Sequence, residues 1–172
     1  MKSFDRDEEI FSRNVFRRWE NGSGNDPRSR KKKQALDRNL VVNAIDLTES
    51  RLRELRSIPG VNAVQALSPK IAKDTDVLVL SVKPQHAKEA LETVAKHGLK
   101  SDCVVISVIA GLPIDKMLEA KLGTESVVRA MPNTPATVGR AATVWMSSPQ
   151  LTEEQIERTK LILKSSEFKV IF

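Results

Sequence analysis

Two stretches of this 172-residue chain are apolar almost without interruption: Asp76-Val-Leu-Val-Leu-Ser-Val82 and Cys103-Val-Val-Ile-Ser-Val-Ile109. A strand with one wet face alternates apolar and polar residues. A continuous β-branched run is shielded on both faces, as inside a parallel sheet flanked by helices. Parallel neighbours require crossover connections, and the intervening residues carry helical patterns. Thr48 is placed to cap a helix whose Leu52, Leu55 and Ile58 share a face before Pro59-Gly60 stops it. Pro84 opens a second helix, with Ala87, Ala90, Leu91 and Val94 at the spacing of one buried face. A third spans Pro113 to Leu122, with Gly123 at its C-terminal end. Leu40–Ile45, Val61–Gln65, Ser126–Ala130 and Ala142–Met146 read as further strands, and Phe168–Phe172 ends the chain on a strand pattern. Thr152 and Gln155 have capping-box spacing, opening a helix that carries Ile156 and Leu163. The pattern predicts an α/β fold, a Rossmann-like doubly wound, mostly parallel sheet with right-handed crossovers over residues 39–172.

Residues 1–38 read differently. Asn21-Gly-Ser-Gly-Asn-Asp-Pro-Arg-Ser-Arg30 is turn and linker material, and Arg28 to Lys33 form a basic run. Ile10, Phe11, Val15, Phe16 and Trp19 can form a short amphipathic helix. Asp5, Asp7, Glu8 and Glu9 are acids that a transit peptide avoids. The segment is expected to be a basic, disordered or loosely attached arm. It holds 11 basic and 7 acidic residues, against 28 and 22 in the whole chain, so most of the net charge of +6 belongs to it. Such a run can touch nucleic acid or an anionic surface, but a solvated tail is its ordinary use.

Composition narrows the chemistry. No stretch approaches the roughly 18–20 apolar residues that span a bilayer. Cys103 is the single cysteine, which removes internal disulfides and Cys-cluster zinc sites. With His86 and His97 the only histidines, both read as surface residues, no metal centre is expected. Aromatic residues make up 4% of the chain and Tyr is absent, leaving little to stack nucleic-acid bases on.

In open α/β sheets ligands bind outside the carboxyl ends of the strands. Four segments fall there: Asp46-Leu47-Thr48, Ser81-Val-Lys-Pro84, Val108-Ile-Ala-Gly111 and Met131-Pro-Asn-Thr-Pro135. None supplies a Ser/His/Asp or Cys/His set, and no two carboxylates stand paired, so no catalytic side chain is nominated. Small residues, main-chain amides, one lysine and one amide suit a cofactor that performs the reaction itself. Each residue also has an ordinary reading. Lys83 can reach a phosphate or ribose, or snorkel into solvent at a strand end. Gly111 can admit a planar ring or merely make a turn. Asn133 and Thr134 can be hydrogen-bonding groups or Asx-turn chemistry. Asp46 can hold a ribose hydroxyl or punctuate the turn.

In combination these motifs resemble the N-terminal domain of pyrroline-5-carboxylate reductases. The resemblance rests on Ser81-Val-Lys-Pro-Gln85, Val105-Ile-Ser-Val-Ile-Ala-Gly111, Arg129-Ala-Met-Pro-Asn-Thr-Pro-Ala-Thr-Val-Gly139 with Ala142-Thr-Val144, and Leu151-Thr-Glu-Glu154. It covers Asp76 to about Val170 and continues more weakly back to about Asn39. The resemblance implies a cytoplasmic oxidoreductase of proline biosynthesis. It would use NADPH or NADH to reduce the small molecule 1-pyrroline-5-carboxylate to L-proline. Ser81, Val82, Lys83 and Pro84 would line the cofactor site, with Ala110 and Gly111 near the nicotinamide and Thr48 near the adenosine phosphate. Met131, Pro132, Asn133 and Thr134 would form the substrate-side rim. Neither a membrane nor a nucleic acid is an expected partner.

The chain departs from that family in three places. Leu47 stands where a basic residue often helps hold a 2′-phosphate. The seven glycines fall at 22, 24, 60, 98, 111, 123 and 139, with Pro27 where a Gly-x-Gly-x-x-Gly turn would need its third glycine. The usual first strand and pyrophosphate cradle are therefore expected to be missing. The family's helical homo-oligomerisation domain is likewise expected to be absent after Phe172. The expectation is a partial reductase, a truncated gene model, splice form or diverged relative, inactive as an isolated chain. The alternative is a non-catalytic protein pairing with a full-length reductase.

Overall fold

The computed structural model describes residues 41–132 and 143–164, together with the main chain of residues 14–18. Among the described residues seven strands form one sheet: β1 (Asn14–Arg18), β2 (Val41–Ile45), β3 (Val61–Val64), β4 (Val77–Leu80), β5 (Val104–Ser107), β6 (Val127–Pro132) and β7 (Thr143–Ser147). Their spatial order is β3-β2-β1-β4-β5-β6-β7. The β2–β3, β4–β5 and β5–β6 pairs are parallel. β7 closes one side antiparallel to β6. The crossover helices are α1 (Glu49–Arg56), α2 (Pro69–Asp74), α3 (Ala87–His97) and α4 (Ile114–Glu119), and α5 (Glu153–Lys164) follows β7.

Every residue of β4 and β5 is buried, as their unbroken apolar composition requires. Leu78, Leu80, Val105 and Val127 face one core, filled by Ala72 of α2, Leu91 and Val94 of α3 and Met117 of α4. Val77, Val79, Val104, Ile106, Val128 and Ala130 face the opposite core with Ile162 of α5. Leu52 and Leu55 of α1 pack on Ala44 and Ala63, while Ile58 lies beyond the helix end and is exposed. Helices thus cover both faces, and the strand order runs outward in both directions from the centre.

β1 changes one expectation. The central position, expected to lack its usual strand, is filled by Asn14–Arg18, five residues of the stretch read as a loose arm. β1 runs antiparallel to both neighbours: Asn14 pairs with Ile45, Arg18 with Val41, and Phe16 with both Asn43 and Leu78. Val15 and Phe16 favour extended backbone, and the slot offers two ladders of unpaired main-chain groups. Direction matters more than occupancy. Arg18, the end of β1, lies at the amino edge of β2, so the chain leaves this strand away from the edge where parallel strands present ligands.

Three further features differ from the sequence pattern or go beyond it. The sequence pattern did not disclose α2, although Ser68 accepts a hydrogen bond from the Ile71 N–H at 3.2 Å and Pro69 begins the helix. The inner face of α5 consists of Gln155, Arg158, Thr159 and Ile162, with Ile156 and Leu163 only half-buried. Finally, Thr48 occupies the N-cap position of α1 without a side-chain cap. The strand pattern at Phe168–Phe172 lies outside the described residues.

Candidate functional site

Because β2, β4, β5 and β6 point the same way, their carboxyl ends deliver the four sequence segments to one edge of the sheet. At the end of β2, Asp46 is fully buried, and its main-chain N–H donates to the Val64 carbonyl at 3.3 Å. Its carboxylate Oδ1 accepts the Thr48 N–H at 2.8 Å, closing an Asx turn over Leu47 just ahead of α1. Oδ2 is buried and has no hydrogen-bond partner among the described residues. Thr48 itself is exposed. Asp46 was legible only as one of two alternatives, because a sequence reports that an acid follows a strand but not whether both its oxygens are used.

At the end of β4, Ser81 and Lys83 are half-buried, Val82 is buried and Pro84 is exposed. Lys83 is extended (φ −60°, ψ 148°), the conformation imposed on a residue before proline. Its carbonyl accepts the His86 N–H at 2.9 Å, so a short 3-10 turn at Pro84–His86 introduces α3. Main-chain geometry joins the next segment to this one, for the Val108 N–H donates to the Leu80 carbonyl at 3.0 Å.

After β5, the chain turns over Ser107, whose buried hydroxyl accepts the Ile109 N–H at 3.2 Å. Sequence reading missed this role, which a serine in an otherwise apolar strand end was able to signal. Ala110 and Gly111 then emerge exposed. Gly111 has φ +77°, and a Cβ built there meets nothing within 4 Å. The glycine is required by its backbone rather than by crowding, and it borders open space. At β6, Met131 is 43% exposed and pairs in register with Val144, which is 75% exposed. Pro132 ends β6, and Asn133 and Thr134 lie outside the described residues. Thr48, Ser81–Pro84, Ala110–Gly111 and Met131–Pro132 are therefore brought to one edge.

Among the described residues no three His, Cys, Asp or Glu side chains gather to hold a metal ion. No helix there is long and apolar enough to cross a membrane. Cys103 is buried at the opposite, amino end of β5, and burial pushes its thiol up to about 12. It is no nucleophile.

This strand order defines the class: a Rossmann-type α/β domain, a fold in which ligands bind outside the carboxyl ends of the parallel strands. Residues 28–111 match the model of a family described as NADP oxidoreductase, coenzyme F420-dependent. A pyrroline-5-carboxylate reductase of Arabidopsis thaliana is 37% identical over 119 residues, covering 69% of this chain and 42% of that protein. The solved pyrroline-5-carboxylate reductase of Coxiella burnetii superposes with a TM-score of 0.63 at 26% identity, over 70% of this chain and 44% of the other. A Plasmodium falciparum pyrroline carboxylate reductase with NADP bound shares the fold (TM-score 0.53, 22% identity, 68% of this chain, 41% of the other). The chain is similar to pyrroline-5-carboxylate reductases in the region of their N-terminal domain. It spans about two fifths of the length of the relatives it matches.

Proposed function

We propose that the chain is a pyrroline-5-carboxylate reductase-type oxidoreductase, holding NADPH or NADH along the carboxyl edge and reducing 1-pyrroline-5-carboxylate to L-proline. The observation that carries this reading is the convergence of Ser81–Pro84 and Ala110–Gly111 on one edge, joined by the 3.0 Å bond from Val108 to Leu80. Two features suit a dinucleotide there. The buried Oδ2 of Asp46 lacks a donor at the end of β2, where a ribose lies in such folds. Open space borders Gly111, where a ring can approach the main chain.

When bound, the reduced nicotinamide supplies the hydride. The residues then have positioning roles. Lys83 would pair with phosphate or ribose oxygens, Ser81 and Val82 would line the same wall, and Thr48 would lie near the adenosine phosphate. Ala110 and Gly111 would let the ring close on the sheet edge. Met131 and Pro132, with Asn133 and Thr134 beyond them, would form the rim that orients the imine. A protonated imine is already electrophilic, so orientation can take the place of a strong acid. A cytoplasmic place for this reaction belongs to the same proposal.

The test is to incubate the full chain with 1-pyrroline-5-carboxylate and each reduced coenzyme, following coenzyme oxidation and L-proline. Proline formation supports the proposal; absence of both coenzyme binding and proline overturns it. A second reading, a non-catalytic partner of a longer reductase, is favoured by β1. That strand ends at the amino edge, and the sequence holds no Gly-x-Gly-x-x-Gly turn to cradle a pyrophosphate. Stable association with a longer reductase, with no proline formed by the chain alone, would select it.

A further inference from the structure

One face of the β6–β7 pair is left uncovered. Met131 pairs in register with Val144 and Arg129 with Met146, and alternate residues of a strand share a face, so these four lie together. Val144, Met146 and Met131 are 75%, 58% and 43% exposed. Arg129 is half-buried beside them, and its Nε has no hydrogen-bond partner among the described residues. The opposite face of the same strands is closed, with Ala130 and Trp145 against Ile162 of α5. Contiguous exposed apolar side chains mark a docking surface, and an unused arginine donor calls for a carboxylate on whatever docks there. The four residues include no acid, so the same patch of a second copy does not supply one.

β1 brings a segment of the right chemistry to this end of the sheet. Val15 pairs with Val79, which sets Asn14 level with Leu80 at the carboxyl end of β4. Leu80 pairs with Ser107 and Ser107 with Arg129, so Asn14 and Arg129 stand in one row, three strand spacings or ~14 Å apart. Because β1 is antiparallel to both neighbours, the 13 residues before Asn14 join the sheet at its carboxyl edge. Residues 5–9 hold four acids, Asp5, Asp7, Glu8 and Glu9, flanked by Phe4, Ile10 and Phe11. Glu9 is five residues from Asn14, a reach of up to ~17 Å in extended chain. We infer that residues 4–11 dock on the β6–β7 face of their own chain, with a carboxylate of residues 7–9 on Arg129 and the flanking apolar side chains on Val144, Met146 and Met131. The acids complement the one cation of the patch, and the starting point and length of the segment span the distance.

Anilinonaphthalene sulfonate, a dye that brightens on exposed apolar surface, reads whether the patch is covered. Residues 12–172, which keep all of β1, should bind the dye and gain emission that the whole chain lacks. Val144→Ser with Met146→Ser in this shortened chain should remove the gain and so assign it to this face. In the whole chain, Asp7→Asn with Glu8→Gln and Glu9→Gln leaves every described residue unaltered. It should loosen the contact by ~10-fold or more, as loss of a charge-assisted bond dictates, and restore part of the gain. Equal emission from the whole and shortened chains overturns the inference, as does a gain that survives Val144→Ser with Met146→Ser. Sedimentation completes the test. Both chains are expected to be monomers; a whole chain that is dimeric while the shortened one is monomeric would put the segment on a second copy and overturn docking within one chain.

Discussion

A Cβ on Gly123 would stand 2.5 Å from the carbonyl oxygen of Leu99 and 2.8 Å from its nitrogen. The approach is this close because the Leu99 N–H donates to the Leu122 carbonyl at 2.8 Å, tying the end of α3 to the segment leading into β6. Gly123 also has φ +99°, which side-chain-bearing residues rarely adopt.

Gly123→Ala should therefore destabilise the fold by about 3 kcal/mol, the sum of strained backbone and a main-chain clash. Gly111→Ala, with φ +77° but nothing within 4 Å, should cost only about 1 kcal/mol. Denaturant unfolding of the two variants checks the difference; equal losses would refute it.

Gln155 joins three elements. Its Oε1 accepts the Thr152 N–H at 2.8 Å and the Ser126 hydroxyl at 3.1 Å, and its Nε2 donates to the Asp102 carbonyl at 3.1 Å. Its own N–H donates to the Thr152 hydroxyl at 3.3 Å, completing the capping box. Gln155→Ala strands buried partners and should cost about 2–3 kcal/mol, against about 1 kcal/mol for Thr152→Ala, which loses only the cap. Thermal melts of both variants provide the comparison.

Cys103 should resist alkylation in the native state, since burial lifts its thiol from 9.0 to about 12. The unfolded chain loses that proton first, so the native state binds more protons through this window. Stability from this group is complete below pH 9.0 and is lost as pH rises toward about 12. The slope is about 1.4 kcal/mol per pH unit. Cys103→Ala should flatten that part of the stability profile, measured by urea unfolding at successive alkaline pH values.

Phe16→Pro tests the position of β1. Residue 16 pairs on both sides, with Asn43 and with Leu78, so it lies in a central strand where proline cannot complete the ladders. A loss of about 3 kcal/mol or more is expected. Unchanged stability in denaturant would mean that the strand contributes little.

Lys83→Met tests the proposed coenzyme edge. Removing a charge-assisted bond should weaken reduced-coenzyme binding by about tenfold. Lys83 is half-buried at a strand end, so the melting temperature should hold. Titration by nicotinamide fluorescence measures the first effect and calorimetry the second.

The Thr152–Gln155 cap and the strands β4 and β5 were legible because each depends on residues close together in sequence. α2 was harder: its six residues offer only Ile71 and Ala72 as an apolar signal, too little to register a period. In α5 the apolar pattern pointed to Ile156 and Leu163. Gln155 and Thr159 are buried instead because their polar groups are consumed, Gln155 by Asp102 and Ser126 and Thr159 by the Gln155 carbonyl at 2.8 Å. Burial of a polar side chain depends on partners 29 and 53 residues away, which no local window contains.

By itself, the amino-acid sequence determined the parallel core, since uninterrupted valine and isoleucine runs can satisfy both faces only between two helical layers. It also determined which turns follow the strands, and hence the candidate edge. Tertiary structure alone decided the direction of β1, because Asn14–Arg18 can pair in either sense and the choice depends on the ladders presented by β2 and β4. It alone decided the state of Asp46, whose two oxygens are chemically identical in the sequence until folding gives one of them the Thr48 N–H and seals the other without a donor.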